Sequence, residues 1–337
     1  MLTIGGPATN RGVPIGWAGV DEEEAFAGLV HAHDLGVTLY DTADVYGMGR
    51  SERLLGRLLK QVDRRALTIA GKVGHFAGTA AHPYTRRQIL RQFETTLDNL
   101  GTDYLDAYFL HSSDFGPDDR YFDEAVTALE ELRTEGAIKA IGIRAPHAFA
   151  KEWAEEAATP DAGEAARFTR AFACVRPDVL TVRHNILSPL YSAEETDVFA
   201  LARSTGVGIL IKQALGQGLL IGAGNRLSPA AYPHGDHRRN GPAHSGPALR
   251  AIHEGLDRLR ERFGFTDADL IRVALRYVLQ HAPEAAVLVG FRNATQIGSD
   301  ITSLGEPLSI EDVSYIRSVM TSVRQSVAET NQREKHA

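Results

Sequence analysis

Four side chains that could transfer protons lie at or just beyond the ends of predicted strands. Asp41 follows the apolar run GVTLY, and Tyr46 comes five residues later on the loop after it. Lys72 stands at the end of the next buried-looking strand, and His111 follows the strand after that. This combination of an acid, a phenol, a lysine and a histidine is suited to acid–base chemistry on a carbonyl oxygen.

A lysine beside a tyrosine changes what the phenol can do. A free phenol has a pKa of about 10 and is a poor acid at neutral pH. At an effective dielectric constant near 20, an ammonium about 4 Å away favours the phenolate by on the order of 4 kcal/mol, or roughly three pKa units. Asp41 would hold Lys72 and keep it charged, while His111 would orient a substrate carbonyl or share the proton. The four residues therefore predict protonation of an oxygen while hydride arrives at the carbon.

Alternating strands and helices are predicted along the whole chain. The sequence indicates eight strands, at residues 3–5, 37–40, 66–70, 104–110, 138–143, 178–182, 207–211 and 286–289. Parallel neighbours need crossover connections, which are usually helical, so this pattern predicts one (β/α)8 TIM barrel over residues 1–337. A doubly wound open sheet is the alternative, and the lack of a G-x-G-x-x-G turn after the first strand disfavours it. In a barrel, all strand exits share one rim, which would bring the four residues together.

Composition limits the partners and the compartment. The formal charge of −7 and a pI near 6.0 argue against nucleic-acid binding, which requires clustered basic residues. Cys174 is the single cysteine, so no intrachain disulfide can form and a reducing compartment is expected. The first residues do not resemble a secretion signal, and no apolar run reaches the length of a membrane span. We therefore expect a cytoplasmic protein with a small-molecule substrate, in an oligomeric state that the sequence leaves open.

Residues 218–246 are rich in glycine, proline and histidine and predict a long loop. Loops of this length in compact domains are usually functional lids or disordered segments. His234, His237 and His244 lie within it, but their spacing fits no zinc pattern and no cysteine accompanies them. We predict no metal site, and interpret the loop as a lid.

Five segments resemble the aldo-keto reductase superfamily, in the expected order. They are GVTLYDTADVYGMGRSERLLG, IAGK, LDNLGTDYLDAYFLH, LGQGLL and VLVGFRNATQI, and they span nearly the whole chain. The resemblance implies a single barrel that binds NADPH without a Rossmann fold. It also implies carbonyl reduction by Tyr46 with Asp41, Lys72 and His111, with hydride supplied by nicotinamide.

The resemblance also assigns cofactor-binding residues. The adenosine 2′-phosphate region falls on GFRNATQIGSD, and the pyrophosphate region on the loop after the seventh predicted strand. The residues implied are Gly290, Arg292, Gln296 and Asp300 in the first region and Leu215, Gly216 and Gly218 in the second. A guanidinium can bind two phosphate oxygens, and glycines let backbone N–H groups approach closely, so these residues favour NADPH over NADH.

The sequence departs from the family where the nicotinamide amide is usually held. A Ser-Asn pair and a Gln are replaced by Arg144-Ala145 and Thr181, and no aromatic residue stands in Lys212-Gln213-Ala214. Two interpretations remain: other residues have taken over the amide in a protein that is still a reductase, or cofactor use is weakened. The candidate cofactor-binding residues at this rim are Arg144, Asn185, Lys212 and Gln213.

The substrate site is less well defined by the sequence. Trp17, Phe76 and Tyr84 lie on loops at the same predicted rim and are candidate pocket residues. The basic residues at the strand exits suggest either a substrate with a carboxylate or phosphate, or steering of the anionic cofactor; they are Arg144, Arg183, His184 and Lys212. An aldehyde, a ketone and a keto-sugar intermediate all remain open.

Two other functional classes are compatible with a barrel of this kind. A cofactor-sensing regulatory subunit is one, as the family's potassium-channel β subunits suggest, although a sensor need not keep all four residues. A metal-dependent sugar isomerase is the other, but it requires several carboxylates at strand exits. Only Asp41 and Asp114 qualify for that role. The sequence therefore favours a reductase.

Overall fold

Seven parallel strands form one sheet whose spatial order follows the order of the chain. The computed structural model describes residues 1–10, 12–146, 149, 160–188, 197–222, 232–240 and 246–336. The strands are β3 (Leu39–Asp41), β4 (Thr68–Val73), β5 (Leu105–Leu110), β6 (Ile138–Arg144), β7 (Val179–Arg183), β8 (Gly208–Lys212) and β9 (Ala286–Val287). The predicted barrel is confirmed by this all-parallel, sequential order, which agrees with a (β/α)8 fold in a single domain.

Helices connect the strands and cover the outside of the sheet. They are α1 (Glu22–Asp34), α2 (Arg50–Leu59), α3 (Arg86–Leu100), α4 (Phe122–Thr134), α5 (Pro160–Val175), α6 (Val198–Thr205), α7 (Gly246–Phe263), α8 (Asp267–His281), α9 (Ala294–Thr302) and α10 (Ile310–His336). In α2 the buried Leu54, Leu55 and Leu58 recur at helical spacing and form its core-facing stripe. None of the described helices is both long and apolar enough to span a bilayer.

The start of the chain differs from the prediction. Residues 3–5 were expected to form the first strand, but residues 2–5 form turns, with Gly5 N–H bonded to Met1 O and Gly6 N–H to Thr3 O. Since these short-range bonds occupy backbone groups, no ladder forms there. An antiparallel hairpin follows, made of β1 (Ala8–Asn10) and β2 (Val13–Ile15). The turns still lie beside the sheet, because Met1 N donates to Asp41 O at 2.6 Å.

Small side chains fill the centre of the barrel. Ala70, Ala107, Phe109 and Leu210 form an interior cluster separate from the larger core between strands and helices. Gly142 makes room for the Phe109 ring, since a Cβ atom at this position would lie 2.1 Å from a ring carbon. The interior below the site is therefore packed rather than open.

The predicted loop at 218–246 is partly helical. Short 3₁₀ helices form at Gly216–Ile221 and His237–Asn240, while residues 223–231 and 241–245 lie outside the described part of the chain. The alanine-rich segment 148–173 forms α5 from Pro160 onward, and most of residues 148–159 lie outside the described part of the chain.

Candidate active site

The four side chains at the strand ends come together at one rim. Lys72 Nζ lies 2.6 Å from Asp41 Oδ1 and donates to Thr42 O at 2.6 Å. The same nitrogen lies 5.0 Å from the centroid of the Tyr46 ring. The Tyr46 and His111 rings meet edge to face, with centroids 5.7 Å apart. A carbonyl oxygen that reached Tyr46 would therefore also lie close to His111.

Strand register and a tight turn produce this arrangement. Asp41 is the last residue of β3 and pairs with Ala70 of β4, two residues before Lys72. The turn carrying Tyr46 packs against the opening segment, and a Cβ atom at Gly47 would lie 1.9 Å from Gly5 O. Gly47 also has a φ of 63°, so glycine is required there on both counts.

The phenol does not have the lowered pKa that the sequence suggested. Burial raises the pKa of Tyr46 well above its usual value, and the nearby charges of Asp41 and Asp44 raise it further. The physical reason is that burial removes the water that would stabilise a phenolate, and Lys72 forms its ion pair with Asp41. Tyr46 is accordingly a neutral hydroxyl that keeps its proton over the physiological range.

The neighbouring groups are also desolvated. Burial lowers the pKa of Lys72, while Asp41 acts in the opposite direction. Burial, together with the charge of Lys72, places the pKa of His111 well below its usual value. His111 is therefore a neutral imidazole, and its buried Nδ1 has no hydrogen-bond partner among the described residues. The sequence analysis missed His75, whose ring lies 4.5 Å from that of His111.

A cavity of about 860 Å³ contains the four residues and extends along the rim. Of the predicted cofactor and pocket residues, those in its wall are Trp17, Lys212, Gln213, Leu215, Gly218, Gly290, Arg292, Gln296 and Asp300. Thr181 also belongs to the wall. The size is at the upper end for small-molecule sites, so a cofactor and a small substrate can be accommodated together.

Sequence comparison identifies the family to which this arrangement belongs. The Aldo/keto reductase family model matches residues 4–321. The chain is an aldo-keto reductase. Members of this family are oxidoreductases that act on carbonyl or alcohol groups with a nicotinamide cofactor.

Individual relatives are distant but match over most of their length. The NADH-specific methylglyoxal reductase of Escherichia coli (strain K12) is 25% identical over 325 residues, covering 93% of this chain and 90% of the relative. The aldo-keto reductase yakc [NADP(+)] of Schizosaccharomyces pombe is 24% identical over 301 residues, with coverage of 88% and 82%. The structure of the glycerol dehydrogenase of Gluconobacter oxydans superposes with a TM-score of 0.68 at 22% identity, covering 93% and 94% of the two chains.

In this aldo-keto reductase the end of the cavity near α9 has a preorganised backbone. Gln296 Oε1 accepts a hydrogen bond from Arg292 N at 2.8 Å, and Asn293 Oδ1 caps α9 by accepting from Gln296 N at 3.0 Å. Arg292 thus stands at the entrance of the helix and in the cavity wall. Burial raises the pKa of Asp300 to about 7.

Two predicted pocket residues lie outside the cavity wall. Phe76 lines a separate cleft beside α2 and α3. Tyr84 is fully buried, and its hydroxyl donates to Ser112 O at 2.7 Å and accepts from Ser112 N at 2.9 Å. The structure therefore places neither ring in the wall with Trp17, although His75, His82 and Pro83 of the same loop do belong to that wall.

Three predicted cofactor residues are also displaced from the wall. Arg144 lines an adjoining cavity of about 350 Å³ next to α5. Asn185 is 7% exposed, and its Nδ2 donates to Gln213 O at 3.0 Å. This hydrogen bond connects the segments that follow β7 and β8. Gly216 opens a 3₁₀ turn behind the wall residues Leu215 and Gly218. A role for Asn185 in holding nicotinamide is therefore not supported by its contacts.

The segment 232–240 was interpreted only as part of a polar loop, yet it contributes to the site. Arg238 and Asp236 form a buried ion pair at 2.7 Å, with side chains 6% and 0% exposed. The Arg238 guanidinium lies 3.6 Å from the Trp17 ring centroid and 4.5 Å from that of Tyr232. Asp236 accepts from Ala18 N at 3.2 Å, which fixes the segment to the loop before α1. In the sequence, the segment YPHGDHRR places an aromatic residue, an acid and arginines close together, and this pattern could have indicated that the segment contributes to the site.

The histidines of the same loop do not assemble a metal site within the described residues. No group of three histidine, cysteine or acidic side chains there is placed to hold an ion. His237 bonds through Nδ1 to Gly16 O at 2.9 Å. His244 lies outside the described part of the chain.

Proposed function

We propose that this aldo-keto reductase is an NADPH-dependent carbonyl reductase in which Tyr46 is the proton donor. The observation that carries the proposal is the Asp41–Lys72 ion pair beside Tyr46 and His111 in the wall of one large cavity. Bound nicotinamide would supply hydride to the carbonyl carbon. The protein residues have to position the carbonyl oxygen and give it a proton.

The pKa of Tyr46 suits the reductive direction. An alkoxide is a much stronger base than a phenolate, so a neutral buried phenol protonates it readily. The ammonium of Lys72, 5.0 Å from the ring, then stabilises the phenolate that is left behind. His111, held neutral by burial, orients the carbonyl oxygen by a hydrogen bond.

The cofactor would be held by the wall beyond the catalytic residues. Leu215 and Gly218 offer backbone to a pyrophosphate, and Arg292 supplies a guanidinium at the end near Gln296 and Asp300. A guanidinium suits the additional phosphate of NADPH, because it can bind two oxygens at once. The relatives include both an NADH-specific and an NADP(+) protein, so Arg292 is the feature that supports NADPH.

Fluorescence titration with NADPH and NADH, followed by turnover of aldehydes, ketones and keto-sugars, tests the proposal. We expect tighter binding of NADPH, and Arg292→Gln should weaken NADPH by about tenfold or more while changing NADH little, since charge-assisted hydrogen bonds contribute roughly 1.5–3 kcal/mol. Equal affinities for the two cofactors in the unaltered protein would contradict the NADPH preference.

Replacing Tyr46 with Phe separates catalysis from cofactor binding. We expect Tyr46→Phe to lower kcat by at least about a hundredfold, the usual scale for losing a general acid, with the cofactor dissociation constant unchanged. Cofactor binding without turnover in both the unaltered protein and the variant would favour a regulatory cofactor-binding subunit. Unchanged turnover in the variant would remove Tyr46 from the mechanism.

A further inference from the structure

Lys212 ends β8 and lies in the wall of the large cavity together with Tyr46, Lys72 and His111. Its side chain makes no hydrogen bond and no ion pair within the described residues, in contrast to Lys72, which is paired with Asp41. A lysine that is largely desolvated and unpaired is costly for the folded protein. A folded protein is expected to carry this cost at a site where a bound ligand supplies the partner of the lysine.

The charges around Lys212 are mainly positive. Burial lowers the pKa of Lys212 to about 7, with Arg144 on β6, Lys72 on β4 and Arg183 on β7 contributing in the same direction. Asp41 on β3 is the one acid that raises it, and that carboxylate is already paired with Lys72. Among the described charges that act on Lys212, the positive ones therefore outnumber the negative ones.

The charges of Lys212 and Arg144 also act on His111. Lys212 and Arg144 both lower the pKa of His111 and of its neighbour His75. Lys212 therefore acts on the reacting end of the cavity, whereas Arg292 lies at the entrance of α9 and is placed for a cofactor phosphate. An anion bound by Lys212 would belong to the molecule whose carbonyl contacts Tyr46 and His111.

Barrel geometry places Lys212 across the rim from Lys72, whose ammonium lies beside the ring of the proton donor Tyr46. In the sheet order β8 is the fourth strand after β4, and four strand positions are half the circumference of an eight-stranded barrel. A substrate whose carbonyl contacts Tyr46 thus extends its far end toward β8. Lys212 is then placed to meet a group at that far end.

We propose that Lys212 is a specificity-determining residue that binds a carboxylate on the substrate, so that this enzyme reduces aldehydes or ketones that carry an acid group. This inference rests on the proposed reductase function and names its substrate class. Only the ammonium form of Lys212 binds the anion, and a bound carboxylate in turn stabilises that form.

The pH dependence follows from the charge of the free enzyme. Below about pH 7 Lys212 is protonated and the acid binds; above it, Lys212 loses its proton and KM for the acid rises. A neutral carbonyl is expected to lack this rise in KM.

Matched substrates and a matched variant test the assignment. 4-Carboxybenzaldehyde is compared with its methyl ester, and a phosphorylated aldehyde with its unphosphorylated form, in unaltered enzyme, Lys212→Met and Lys212→Arg. We expect Lys212→Met to lower the acid-to-ester ratio of kcat/KM by about tenfold to a hundredfold, mostly through KM, and Lys212→Arg to restore most of it. The exposed Lys60→Met serves as control and should leave the ratio unchanged.

The outcomes separate this inference from the proposed function. Equal rates on acid and ester in the unaltered enzyme, or equal losses on both in Lys212→Met, would overturn it. A preference for the phosphorylated aldehyde alone would replace the carboxylate by a phosphate and overturn the stated class. Calorimetric binding of 4-carboxybenzoate gives a readout without turnover: binding lost in Lys212→Met supports the site even if no carbonyl is reduced, and equal binding refutes it.

Discussion

At the scale of the residue, desolvation decides the chemistry of the rim. The same burial that raises the pKa of Tyr46 lowers those of Lys72 and His111. Both the phenol and the imidazole are therefore neutral in the folded protein, while Lys72 forms an ion pair with Asp41 beside them. A phenol that stays protonated can give its proton to an alkoxide, which is a much stronger base, but the phenolate needed to take a proton from an alcohol forms with difficulty.

This asymmetry predicts different pH profiles for the two directions of the reaction. Reduction of a neutral carbonyl should vary little between pH 6 and 9, because Tyr46 stays protonated throughout. Alcohol oxidation needs the phenolate, so kcat for oxidation should still be rising above about pH 10, the ordinary pKa of tyrosine. Steady-state rates in both directions provide the measurement. A plateau of the oxidation rate near neutral pH would contradict the raised pKa.

At the scale of the element, two loops are held to the rim by buried polar contacts. Tyr84 fixes the loop after β5 through its two hydrogen bonds with Ser112, directly behind His111. The segment 232–240 is fixed to the loop before α1 through Asp236 and Arg238. These contacts fix the positions of residues in the cavity wall, among them Ser112, Trp17 and Arg238.

Removing the Tyr84 hydroxyl should loosen the loop after β5. We expect Tyr84→Phe to destabilise the protein by about 1–3 kcal/mol, because Ser112 O and N lose their buried partner. Urea unfolding measures this change. The matched control is Tyr121→Phe, since the Tyr121 hydroxyl makes no hydrogen bond within the described residues. Equal effects of the two variants would show that the Ser112 contacts contribute nothing specific.

Breaking the Asp236–Arg238 pair should release the segment 232–240. Arg238→Met leaves the fully buried Asp236 carboxylate without its cation, a situation that costs about 3–5 kcal/mol. We expect faster limited proteolysis in this region and weaker cofactor binding. The double variant Asp236→Asn with Arg238→Met removes the unpaired charge and should recover part of the protection. Proteolysis that is unchanged in Arg238→Met would contradict the anchoring role.

At the scale of the whole molecule, the packed barrel interior supports the rim. Gly142 of β6 lies directly against Phe109 of β5, where no side chain fits. Gly208 of β8 has no atom nearer than 3.6 Å to a Cβ position. The two glycines therefore differ in whether the interior tolerates a methyl group.

A methyl group at these two positions should have opposite consequences. Gly142→Ala should destabilise the protein by about 1–3 kcal/mol, because a Cβ atom 2.1 Å from the Phe109 ring forces the interior to shift. Gly208→Ala should be tolerated. Thermal and urea unfolding of both variants give the comparison, and a tolerated Gly142→Ala would show that the interior repacks freely.

The sequence by itself determined the barrel, the family and which four residues are candidates for catalysis. Strand–helix alternation and the DTADVYG, IAGK and FLH segments are local patterns, so they can be read without coordinates. The end of β3 at Asp41 and the helix α2 followed directly from apolar spacing.

Only the tertiary structure decided the protonation states and the members of the cavity wall. Burial is a property of the folded molecule, and it reversed the expected shift of the Tyr46 pKa and left Lys212 unpaired in the wall. The positions of loop side chains likewise depend on packing, which placed Phe76 in a separate cleft, buried Tyr84 against Ser112 and brought Arg238 onto Trp17. Desolvation and long-range packing have no local sequence pattern, and for that reason these features appeared only with the fold.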